Sequence, residues 1–212
     1  MVLKELPIAA FLRPSGLGKR VRENPVWVGL GVSLILLWAA TVVLGHHALL
    51  RETLSRLPAS ATAADRTQVR EWLDADLPRT LLILPFRALA GWLVTALLLA
   101  AICRLLFGAG GITYRSMLSL EVHASAATVA GTALGTLLAP VAPDAAFLLA
   151  GSVLLKSVNI GTLWYLVILF GGVRVLCSAG PVKAALAVLL VWGSSLAFHI
   201  LVLTLVGDSM GL

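Results

Sequence analysis

Val26 to Gly45 reads VWVGLGVSLILLWAATVVLG, a run without a single charged residue. As an α-helix rising 1.5 Å per residue it covers about 30 Å, the thickness of a bilayer's hydrocarbon core. A helix satisfies its own backbone donors and acceptors, which is what a segment without access to water requires. Asn24-Pro25 supplies a start signal with proline at the first helical position, and Trp27 suits the interface with the headgroups. The run begins too far into the chain for a signal peptide and has no small-residue cleavage site behind it. It is expected to be a retained membrane helix.

The rest of the chain agrees with that reading. Of 212 residues, 59% are hydrophobic and only 12% charged, with a mean hydropathy of +0.99. A water-soluble domain carries about twice that share of charge. The formal net charge of +6 would raise nucleic acid as a partner in a soluble protein. Here the Lys and Arg residues sit mostly at the ends of apolar runs, without an accompanying aromatic and basic surface pattern. They read as the positive flanks of membrane helices, so the bilayer is the expected partner and nucleic acid is not.

The expected fold is all-α, a polytopic transmembrane helical bundle of about five spans. Residues 1–25 form a cytoplasmic N-terminal segment, with a turn at Pro14-Ser15-Gly16, and 26–45 the first span. Residues 46–80 form an extracytoplasmic loop with two short amphipathic helices, the second opened by the capping box Thr62-Ala-Ala-Asp65. The further spans are 81–107, 117–138, 159–176 and 182–206. Between them, 139–158 is broken by Pro140 and Pro143, and its apolar part is too short to cross alone. An interfacial or re-entrant segment is expected there.

Lys4, Arg13, Lys19, Arg20, Arg22, Arg104, Arg115, Arg174 and Lys183 fall on one face of this topology. The other face has fewer basic residues and most of the acids, which places the N-terminus in the cytoplasm. Cys103 and Cys177 lie near the ends of apolar runs on that cytoplasmic side. No metal-ligand or redox spacing joins them, and both read as small helix residues.

Glu121 is the one acid inside a predicted span. An intramembrane carboxylate is costly and faces the bundle interior or a wet cavity. Two readings stand side by side: a satisfied polar residue paired with Arg104, Arg115 or Arg174, and a proton or substrate site. His123 follows two residues later and points away from Glu121 on an ideal helix. His199 lies deep in the last span, and His46 and His47 end the first. No histidine pair has helix-borne metal spacing, so neither a metal nor a cofactor is expected. Along the third span Ser125, Thr128 and Thr132 share a stripe with the Gly131-xxx-Gly135 motif, which suits close helix packing. The chain carries no phosphate loop, catalytic carboxylate pair or HExxH, so an enzyme is not expected.

Pro7 to Trp27, PIAAFLRPSGLGKRVRENPVW, is a basic preamble leading into the first helix. Tyr114-Arg-Ser-Met-Leu-Ser-Leu heads the third span. Leu163-Trp-Tyr-Leu-Val-Ile-Leu-Phe-Gly-Gly-Val-Arg174 makes the fourth, and Ser178-Ala-Gly-Pro-Val-Lys-Ala-Ala-Leu-Ala leads into the fifth. In helix order and in these segments the chain resembles the Yip (Ypt-interacting protein) family, prokaryotic branch. That resemblance implies a five-helix bundle in a prokaryotic plasma (inner) membrane with its N-terminus in the cytoplasm. Eukaryotic members contact prenylated Rab GTPases and carry a longer N-terminal region and an Asp-Leu-Tyr-Gly-Pro type of motif. Neither is found here, so the Rab role is not expected to carry over. The expectation is a non-enzymatic scaffold or accessory subunit for another membrane protein, or a homo-oligomer. The rival is a small transporter or channel component using Glu121 and His123, with His199, in a polar path. A third option is lipid handling by the 46–80 loop and Ala145–Leu155, for which the placement of Trp72 discriminates.

Overall fold

The computed structural model describes residues 14–55, 57–58, 60–108, 112–138 and 159–210. Side chains are described within these ranges except at positions 14, 15, 48, 52 and 198–210. Among the described residues every regular element is a helix: α1 Pro14–Glu23, α2 Val28–Ser55, α3 Ala63–Phe107, α4 Tyr114–Leu138, α5 Ile160–Leu176 and α6 Pro181–Met210. Two of them, α2 and α3, are long and apolar enough to cross a membrane. Within their most apolar stretches only 17% and 28% of the residues are buried inside the protein. The interfacial or re-entrant segment expected at 139–158 lies outside the described residues.

The chain divides into two compact units. The first comprises Met1–Leu30, Gly91–Thr128 and Thr162–Leu212. Its axis is the first half of α4, where every residue from Ser116 to Ala127 is buried. Small residues make that enclosure possible: Ser116, Ser119, Ala124, Ser125, Ala126 and Ala127 let neighbouring backbones approach, while Met117, Leu118, Leu120 and Val122 fill the remaining space. Leu99 and Cys103 of α3, Ile168, Leu169 and Val173 of α5, and Ala184, Ala187 and Val191 of α6 complete the core. At Gly172 on α5 a Cβ would overlap the side chain of Leu120, which would have to shift to admit it.

α1 replaces the turn expected at Pro14-Ser15-Gly16. Proline is pre-organised for the first helical position, where its missing N–H costs nothing. Leu17 and Val21, one turn apart, are buried to 1% exposure, while Lys19, Arg20, Arg22 and Glu23 face outward. Gly18 presses this helix against α5, where a Cβ would lie 2.6 Å from the Cβ of Val175. The helix ends where Asn24 N–H donates to the Arg20 carbonyl at 2.8 Å and Pro25 follows. The start expected at Asn24-Pro25 accordingly moves to Val28. The Val26 carbonyl, left free by the helices on either side, accepts from the Ser119 hydroxyl at 3.2 Å.

The second unit comprises Gly31–Ala90 and Val129–Gly161. It corrects the expectation of short amphipathic helices separate from the spans. α2 runs on past Gly45 to Ser55, and Ala63 to Phe107 is one helix of 45 residues. Arg, Glu, Gln, Leu and Ala between 63 and 80 are strong helix formers. Pro78 and Pro85 interrupt the ladder without ending it, releasing only the carbonyls of Asp74 and Leu81. The Thr62–Asp65 capping box forms reciprocally: Asp65 N–H donates to Thr62 Oγ1 at 3.2 Å, and Thr62 N–H donates to Asp65 Oδ2 at 2.8 Å. His46 of α2 meets Asp74 of α3 with Nε2 2.8 Å from Oδ1.

Candidate functional site

The buried half of α4 carries Ser119, Glu121, His123 and Ser125, all under 9% exposed. Their enclosure creates a strict requirement, because an unsatisfied buried polar group costs about 1–3 kcal/mol and a charged one more. Glu121 meets it with two donors. Ser125, one turn on, donates to Oε1 at 3.3 Å, and the Tyr165 hydroxyl of α5 donates to Oε2 at 2.9 Å. His123 Nδ1 lies 2.7 Å from the Ser119 carbonyl. Since a carbonyl only accepts, that nitrogen carries the hydrogen. Among the described residues no buried side-chain nitrogen or oxygen lacks a partner.

None of the three arginines considered as partners of Glu121 reaches it. Arg104 donates to the Ile112 carbonyl at 3.3 Å. Arg174 places its guanidinium 5.7 Å from the centre of the Phe170 ring. Arg115 lines a separate cavity together with Arg22. Among the described residues the hydrogen-bond partners of Glu121 are hydroxyls. Tyr165 was not singled out from the sequence, although a signal for it exists: a tyrosine inside an aliphatic run needs a partner for its O–H. A mid-span carboxylate is a natural candidate.

Elsewhere on α4, Thr128 donates to the Ser125 carbonyl at 2.9 Å, while Gly131 and Gly135 are buried. Thr132 lines a cavity of about 280 Å³ in the second unit, with Trp38, His46, Asp76 and Thr136. Neither this cavity nor the one at Arg115 is lined by Glu121 or His123. The side chain of His199 lies outside the described residues. Trp72 is 68% exposed.

The structure also joins the two cysteines that no sequence spacing connected. Cys103 near the end of α3 is fully buried, and Cys177, just after α5, lies near it. Both are free thiols.

No family model matches this chain, and neither a curated protein nor a solved structure matches it.

Proposed function

We propose that the chain is a five-span membrane protein acting without catalysis, as a scaffold or accessory subunit for another membrane protein or for its own assembly. In this reading α2, the apolar part of α3, α4, α5 and α6 are the spans, and the N-terminus is cytoplasmic. The resemblance to the Yip family is part of the same proposal.

The observation that carries it is the closure of Glu121. Its carboxylate accepts from Tyr165 and Ser125 inside a helix buried on every side, and it lines neither cavity. A carboxylate that binds a travelling proton or solute needs a wet path to it. A carboxylate tied to two hydroxyls holds α4 and α5 in register instead. The outward apolar side chains of α2 and α3, such as Leu36, Leu82 and Phe86, add area for lipid or a partner.

The test is reconstitution of the full chain beside Glu121→Gln. The proposal expects that neither conducts protons or small ions across proteoliposomes, and that both keep the same partner after mild-detergent purification. Flux in the wild type that Glu121→Gln abolishes would overturn it in favour of a transporter. Reporters fused at 1–25 and within 46–80 should fall on opposite sides of the membrane.

A further inference from the structure

The first unit contains a second polar feature that the Glu121 cluster does not use. A cavity of about 430 Å³ is lined by Arg22, Pro25, Ile112, Thr113, Arg115, Ser116, Met117 and Leu176. Two of these residues are permanently cationic, two carry hydroxyls, and none is acidic. Among the described residues neither Arg22 nor Arg115 has a hydrogen-bond or ion-pair partner. Both line the same cavity, so an anion held in it would face two cationic side chains.

The local folding brings these groups together for separate reasons. Burial of Leu17 and Val21, with Gly18 against Val175, docks α1 and sets Arg22 near its end. Thr113 caps α4: its Oγ1 accepts from the Ser116 N–H at 3.1 Å and lies 2.7 Å from the Ser116 hydroxyl. Arg115 follows in the first turn, where the amides of Tyr114 and Arg115 have no acceptor within the helix. The wider surroundings carry the same sign. Among the residues of this unit whose side chains are described, the basic ones are Lys19, Arg20, Arg22, Arg104, Arg115, Arg174 and Lys183, against Glu23 and the enclosed Glu121.

We propose that the cavity between Arg22 and Arg115 binds a phosphate group. Two guanidinium forks match the oxygens of a phosphate bidentately, in the manner that distinguishes arginine from lysine. Ile112, Met117, Pro25 and Leu176 give the same cavity an apolar wall, which a bare ion does not need and an amphiphile does. Basic pockets between membrane helices hold anionic headgroups by this combination. The phosphate comes from an anionic phospholipid or from a water-borne phosphate, and the experiment separates the two. The site goes beyond the scaffold reading and does not depend on it.

Native mass spectrometry of the full chain, released from detergent with phosphatidylglycerol present, tests the proposal. The wild type is expected to retain the lipid. Arg22→Gln and Arg115→Gln should each weaken retention about tenfold, the effect of losing one charge-assisted contact. Arg70→Gln, in the other unit, should leave it unchanged. Competition by millimolar inorganic phosphate would assign the site to a water-borne phosphate, and its failure to compete would assign it to the lipid. Both side chains are exposed, so thermal melting should not move. If a glutamine variant does not fold, Arg115→Lys keeps the charge and should lose a smaller share of the retention. Retention unchanged in both glutamine variants, or weakened equally by Arg70→Gln, would overturn the proposal.

Discussion

Ser116–Ala127 of α4 and Leu82–Leu89 of α3 are both helical and both lie in stretches that the sequence marks as spans, yet their surroundings are opposite. The first contains two ionisable residues and three serines and is buried throughout. The second contains Leu82, Ile83, Phe86 and Leu89, all exposed, with only Leu84 and Ala88 covered. The first stretch encloses an acid, an imidazole and three hydroxyls along with Met117, Leu118, Leu120 and Val122, while the second exposes four of its large apolar side chains. Both features are unusual in a water-soluble domain. A hydrocarbon surrounding favours both, because lipid gives apolar side chains no reason to leave it, while hydroxyls and carboxylates gain most by finding one another. Cohesion in the first unit therefore comes from small residues, close packing and satisfied hydrogen bonds.

The largest expected effect tests packing. Leu120→Ala removes a fully buried side chain that closes on Gly172, and should cost about 2–5 kcal/mol. Leu82→Ala, at 70% exposure, should stay within about 0.5 kcal/mol. Unfolding of both variants in mild detergent, driven by a denaturing detergent, measures the difference. Equal costs would break the contrast between the two stretches.

A smaller effect tests hydrogen bonding in the same two units. Tyr165→Phe removes one of the two donors to Glu121 and should cost about 1–3 kcal/mol, because the carboxylate stays buried. The hydrogen bond of His46 with Asp74 in the second unit has its acid 55% exposed. Asp74→Asn should cost at most about 1 kcal/mol, as exposed pairs do. A double-mutant cycle sharpens the first value: in a Glu121→Gln background the Tyr165→Phe cost should shrink. Strict additivity would mean that the two side chains do not interact.

What the sequence disclosed about these regions depended on distance along the chain. The Thr62–Asp65 capping box spans three residues, and its pattern is its mechanism, so it could be read directly. The pairing of Glu121 with Tyr165 joins two helices, and apolar periodicity does not say which helix faces which. The same holds for Cys103 with Cys177 and for Arg22 with Arg115. Hydropathy located the apolar stretches well but misplaced helix ends, for a definite reason. It reports where charge begins, and charged residues such as Arg66, Arg70 and Glu71 extend a helix as readily as leucines do. At α1 Pro14-Ser15-Gly16 carries a turn signal, but the apolar pair Leu17 and Val21, spaced by one helical turn, decides the local structure.

The smallest effect concerns the start of α3, where the second unit carries a fully exposed charge whose role is purely local. The Asp65 carboxylate accepts from the Thr62 N–H and hydroxyl, both at 2.8 Å, which holds its pKa below the ordinary value of 3.8. A depressed pKa stabilises the folded turn above the ordinary value, and that contribution is lost as pH falls through the lower folded value. Between about pH 5 and 8 the first turn of α3 should thus be insensitive to pH, because the carboxylate is ionised in folded and frayed states alike. Below about pH 4 the turn should loosen while the buried first unit is unaffected. The backbone amide signals of Asp65 and Arg66 report this, since those N–H groups donate to Thr62 Oγ1 and to the Thr62 carbonyl. They should titrate with a midpoint below 3.8 and stay flat in Asp65→Asn. A midpoint above that value would mean that the box is open in solution and that α3 begins later than Ala63.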